Sequence, residues 1–142
     1  MEKIEQIHER LVNAQKALEV SMDRYTNPPE HADAIDITLY MTAVIKSFEF
    51  THGCLWVFLK AYLKKEGIDT LGSKDVFRKC YEYKLTNAQE SQILVNAVED
   101  RNVTAHQYED ETTIQTMSNK IIKEYYPVLK SVIERTESLI PR

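Results

Sequence analysis

Glycine and proline are scarce in this chain, which has three glycines and four prolines among 142 residues. Turn-rich β-sandwiches and barrels punctuate their strands with these residues, so the scarcity argues against an all-β fold and against flexible linkers. Cysteine occurs only as Cys54 and Cys80, each inside an apolar helical pattern and with no CxxC or Cys/His ligand spacing. Two buried free thiols are expected there, not a disulfide or a metal site. Long apolar runs are missing, and the opening Met1-Glu2-Lys3-Ile4 lacks the pattern of a signal peptide, so a cytoplasmic protein with no membrane association is expected. Positive charge is short as well. A formal net charge of −4 opposes a protein that grips nucleic acid by its overall field, though a local basic cleft stays compatible with it. The chain also has no glycine-rich phosphate loop, no GxSxG and no paired-carboxylate motif, so the familiar hydrolase and nucleotide-binding constellations are excluded and no cofactor is expected.

What the chain does have is helical periodicity. Glu, Lys, Leu, Ile and Ala recur at spacings of three and four, which predicts an all-α, up-and-down bundle of four to five helices in a single domain over 1–142. Ile4, Ile7, Leu11, Ala14 and Leu18 form one stripe on a first helix over about 2–25, and Pro28-Pro29 ends it. A long second helix over about 33–66 carries Ile37, Met41, Val44, Phe48, Leu55, Leu59 and Tyr62 on one face, widened by Ile45, Trp56 and Leu63. Its excess length and broad apolar face predict packing against a second subunit, unless Gly53 kinks it.

Gly67 and Gly72 frame the next loop, and Ser73 is the expected N-cap of a third helix with Val76, Phe77, Cys80 and Tyr81 inward. Thr86-Asn87-Ala88-Gln89 reads as a capping box opening a fourth helix, with Ile93, Leu94, Ala97 and Val98 buried. Asp110, Thr112 or Thr113 can cap a fifth helix whose stripe runs Ile114, Met117, Ile121, Val128, Val132 and Leu139, with a kink or restart at Pro127. The eight tyrosines are numerous for such a bundle and suit its boundary layer.

Chemistry concentrates between Glu99 and Tyr108. Of the four histidines, His8 and His31 read as solvated. His52 sits three residues after Glu49, where the two can hydrogen-bond, but one His and one Glu are too few ligands for a metal. His106 differs, because Arg101 precedes it by five residues and Tyr108 follows by two. Five residues on an unbroken helix leave two side chains roughly 140° apart, so Arg101 and His106 converge only if the helix ends between them or a second copy supplies the partner. Arginine binds a phosphate bidentately and histidine exchanges a proton near neutral pH, a pairing that suits cleavage of RNA beside its own 2′-hydroxyl. The competing reading has Arg101 paired with Glu99 or Asp100 and His106 capping a helix end.

At these residues the sequence resembles the HEPN superfamily. Arg101-Asn102-Val103-Thr104-Ala105-His106 has its RNxxxH form, and Gln107-Tyr108 extends it to the RNxxxHxY of HEPN proteins encoded beside a minimal nucleotidyltransferase. Phe48-Glu49-Phe50-Thr51 with Trp56, Leu59 and Tyr62 is similar to the long-helix signature of the nucleotidyltransferase substrate-binding branch, Ser73 through Thr86 to its third helix, and Glu99 through Asn102 to its fourth. Two positions depart from that branch: Ser47 stands where an arginine is common and Gly53 where a glutamate is.

The resemblance implies a bundle that dimerises through the long helix and the motif helix, bringing two Arg/His motifs to one groove. It implies a metal-independent endoribonuclease toxin with Arg101 clamping phosphate, Asn102 assisting, His106 exchanging protons and Tyr108 receiving AMP from the partner nucleotidyltransferase as the off switch. The alternative is a non-catalytic substrate-binding subunit of that nucleotidyltransferase, with RNA or a nucleotide as the bound molecule.

Overall fold

A computed structural model describes residues 2–104 and 110–141, with 103 and 104 described by backbone alone. Among the described residues six α-helices follow one another: α1 Ile4–Thr26, α2 Ala34–Lys65, α3 Ser73–Glu82, α4 Ala88–Thr104, α5 Glu111–Lys120 and α6 Tyr126–Thr136. A π-helical turn over Ile121–Tyr125 joins α5 to α6, so the two form one rod, and the all-α expectation stands among the described residues.

Side-chain pairs along the rods give their directions. Ser21 bonds Ser47 across α1 and α2, while Ile7 and Arg10 near the start of α1 share a wall with Cys54 and Val57, so these two helices run antiparallel. The α5–α6 rod runs antiparallel to α1, with Asn119 on Tyr25, Tyr126 on Glu19 and Thr136 on His8. It runs antiparallel to α4 too, with Lys120 on Asp100 and Arg135 on Glu90. The result is an up-and-down bundle of α1, α2, α4 and α5–α6, with α3 laid along α4 through Ser91 Oγ on the Phe77 carbonyl (2.7 Å) and Lys74 on Glu99 (2.8 Å). Phe48, Phe58, Phe77, Leu55, Leu94 and Leu129 fill the middle.

The long helix runs unbroken through Gly53 from a full capping box, in which Asp33 accepts from the Asp36 N–H and Asp36 from the Asp33 N–H. Elsewhere the helix starts shift slightly from expectation. The box of α4 is Asn87 with Glu90, one residue beyond Thr86 with Gln89: the Asn87 side-chain oxygen accepts from the Glu90 N–H (2.7 Å) and Glu90 accepts from the Asn87 N–H (2.9 Å). Glu90 wins because Arg135 reaches it from α6, a partner that Gln89 does not share. Gly72, at φ 97°, holds the N-cap position assigned to Ser73, because the backbone there enters the left-handed region that glycine tolerates. Asp110 caps α5, accepting from the Thr113 N–H at 2.7 Å.

Three burial expectations are also corrected. His8 is buried, with Nε2 3.0 Å from Thr136 Oγ1 and its ring edge-on to Phe58. Tyr81, expected inward, lies exposed because the ten-residue α3 turns only Val76, Phe77 and Cys80 to the bundle. Cys80 is buried as expected, whereas Cys54 is only half-buried at the edge of a cleft.

A candidate phosphate-binding cleft at the end of the fourth helix

The helix α4 is anchored near its end by residues that flank the predicted motif. Glu99 bonds Lys74 of α3, and Asp100 takes both Lys120 Nζ (2.7 Å) and the Tyr125 hydroxyl. Tyr125 is buried and stacked on Phe48 (ring centroids 5.4 Å apart), and the π turn is what turns it inward. Burial and the Asp100 carboxylate both hold the Tyr125 phenol well above its ordinary pKa, so it stays a hydrogen-bond donor. Glu99 and Asp100 are thus both engaged by cations of other helices, long-range contacts that compete with the local pairing weighed for Arg101.

Arg101 lies half-buried at the junction of α2 and α4. Its Nη1 is 3.5 Å from Nδ1 of His52, and a side chain at Gly53 would begin 3.5 Å from the same nitrogen. A Cβ on α2 would thus make only ordinary contact with the guanidinium. Two hollows meet at Arg101. One, of about 370 Å³, lies between α1 and α2 and is walled by Arg10, Glu49, Phe50, Gly53, Trp56 and Arg101. The other, of about 400 Å³, is walled by Lys46, Glu49, Phe50, Arg101 and Asn102. Arg10, Lys46 and Arg101 line the two hollows against one carboxylate, Glu49, which lies 3.5 Å from Lys46, while Arg10 is bridged to Glu2. A guanidinium between an exposed Phe50 and an exposed Asn102 can bind an anion that carries a flat ring, which is the chemistry of a nucleotide.

His52, which the sequence places beside Glu49, points into the core instead. Its side chain is fully buried between Phe48 and Phe77 (ring centroids 5.8 and 5.2 Å), and Nε2 lies 3.2 Å from the Leu94 carbonyl oxygen. Burial, reinforced by the nearby Arg101 charge, lowers its pKa to about 4 against the partial opposition of the Leu94 bond. No local signal in the sequence marks this residue, since both partners come from a helix some forty residues on.

Of the predicted site residues, Arg101 and Asn102 are brought to the cleft, while His106 and Tyr108 lie outside the described residues. No group of three His, Cys, Asp or Glu placed to hold a metal occurs among the described residues, and no described helix is long and apolar enough to cross a membrane.

Comparison with known proteins places this geometry among relatives. The sequence matches the family described as "Nucleotidyltransferase substrate binding protein like" over residues 6–138. A crystal structure of a protein from Thermus thermophilus is 26% identical, covers 91% of this chain and 99% of its own, and superposes with a TM-score of 0.64. The structure of a tri-AMPylated HEPN toxin from Shewanella oneidensis, in complex with its MNT antitoxin, shares the fold at 13% identity, with a TM-score of 0.69 over 97% of this chain and 99% of that one. No relative among curated proteins matches the chain.

Proposed function

Because the chain belongs to the nucleotidyltransferase substrate-binding protein-like family of the HEPN superfamily, we propose that it is the HEPN member of a two-protein system completed by a minimal nucleotidyltransferase. In this reading residues 1–142 are one HEPN bundle that pairs with a second copy through α2 and α4, and the pair is a metal-independent endoribonuclease. The observation that carries it is the Arg101 guanidinium, which lines an open cleft together with Lys46, Glu49, Phe50 and Asn102.

Arg101 binds the scissile phosphate and Asn102 steadies it. His106 takes the proton of the RNA 2′-hydroxyl, whose oxygen attacks phosphorus and expels the 5′-oxygen. That oxygen picks up a proton, leaving a 2′,3′-cyclic phosphate and a free 5′-hydroxyl. Tyr108 is the off switch. Its phenol oxygen attacks the α-phosphorus of ATP on the partner enzyme, pyrophosphate leaves, and the bound AMP adds bulk and negative charge where RNA phosphates must enter. The AMPylated state and MNT antitoxin of the Shewanella protein support this assignment.

Incubation of the purified protein with RNA in the presence of EDTA tests it. Cleavage to cyclic-phosphate ends by the wild type, lost in His106→Ala and Arg101→Ala with the fold intact, is expected. Cleavage unchanged by either substitution overturns the site, and RNA binding without cleavage turns the reading toward the non-catalytic subunit.

A further inference from the structure

Resting on that reading of Arg101, we propose that His52 is a positioning residue, a neutral imidazole that holds the guanidinium in its phosphate-binding orientation through Nδ1. The protonation pattern follows from its two partners. A carbonyl oxygen can only accept, so the nitrogen 3.2 Å from the Leu94 oxygen, Nε2, carries the hydrogen. A guanidinium can only donate, so Nδ1, 3.5 Å from Arg101 Nη1, presents its lone pair. Neutral imidazole offers one donor and one acceptor, and here each is used once. The imidazole lies between the rings of Phe48 and Phe77 with no exposed surface.

A neutral acceptor suits an arginine that must bind an anion. A carboxylate in the same place would orient the guanidinium and also cancel the charge that the phosphate needs, whereas imidazole orients without cancelling. The chain of support is continuous: the Leu94 backbone in α4 fixes the His52 tautomer in α2, and His52 in turn fixes Arg101 two turns further along α4.

Two substitutions separate positioning from mere packing, because the Asn amide oxygen lies where Nδ1 is and the Gln amide nitrogen where Nε2 is. His52→Asn keeps the acceptor for Arg101 and gives up the Leu94 bond, while His52→Gln does the reverse. RNA cleavage in EDTA should stay within about twofold of wild type for His52→Asn and fall about tenfold or more for His52→Gln, the cost of a loosened reacting geometry. Side-chain NMR supplies a readout that needs no cleavage: His52 should show Nε2–H and a bare Nδ1 at pH 7, and the Arg101 Nε–H signal should stay sharp in His52→Asn and broaden in His52→Gln. If wild type cuts no RNA, the ribonuclease reading fails while the NMR comparison still decides the role of His52. An Nδ1–H tautomer, an imidazolium at pH 7, or an Arg101 signal indifferent to both substitutions overturns the proposal.

Discussion

His52 ties stability to pH in a direction fixed by its burial. Its pKa is about 4 in the folded protein and about 6.5 when exposed, so between those values the unfolded chain binds more protons than the folded one. Stability therefore falls as pH drops below 6.5, by about 2 kcal/mol at pH 5 from this residue alone, since one pKa unit is worth about 1.4 kcal/mol. His8 is also held low by burial and adds loss of the same sign. Glu90 is lowered chiefly by its bond to Arg135, so the stability it contributes is lost only as pH falls below the usual carboxylate range. Urea unfolding at pH 7 and pH 5 should show His52→Phe losing about 2 kcal/mol less than wild type over that interval. Equal losses would mean that His52 is charged inside the fold. Periodicity alone put His52 on α2, but it could not reveal a partner on α4, whereas Arg101 stood out early because its neighbours Asn102, His106 and Tyr108 formed a pattern with it.

The helices themselves were legible wherever one uninterrupted apolar stripe met a clear stop, as in α1 with its Pro28-Pro29 and in α2 from Asp33 to Lys65. The last rod was legible in part: Ile121 and Val132 of its expected stripe are buried, and Ile114, Met117, Val128 and Leu139 pack against the core. Its π turn holds one extra residue, so a stripe projected from Ile121 at ordinary spacing reaches the partly buried Val128, while the chain also buries Tyr125, Leu129 and Ile133. Pro127, in the first turn of α6, lacks the N–H that a regular α-helix would use there, which suits the widened turn before it. Gly53 is the other irregular choice, a glycine in mid-helix where, among the described residues, only the end of Arg101 comes within 4 Å of a would-be Cβ. At 3.5 Å that is ordinary contact, so Gly53→Ala should gain up to about 1 kcal/mol from helix propensity. A midpoint of thermal unfolding raised by a few degrees is expected. A lowered midpoint would show that α2 needs freedom there that alanine removes.

The α2 helix also carries apolar residues that the described bundle does not cover. Leu39, Phe50 and Val57 are exposed, and spacings of eleven and seven put them near one face of the helix. Phe50 and Val57 border the hollow that Arg101 shares, so whatever covers that face also closes on the cleft. Exposed apolar side chains grouped on one helix face commonly mark an interface. A second copy is the occupant we propose for it, since the proposed function pairs two chains through α2 and α4. The resemblance to HEPN proteins makes that pairing an expectation, and the exposed Phe50 is where it can be tested. If a second copy packs there, Phe50→Glu puts a carboxylate into the contact, at a position whose own fold does not bury it. Analytical ultracentrifugation should find the wild type as a dimer and Phe50→Glu as a folded monomer that has lost RNA cleavage. A wild-type monomer that cleaves RNA would remove the need for a second motif, and a Phe50→Glu dimer would move the interface to another face of the bundle.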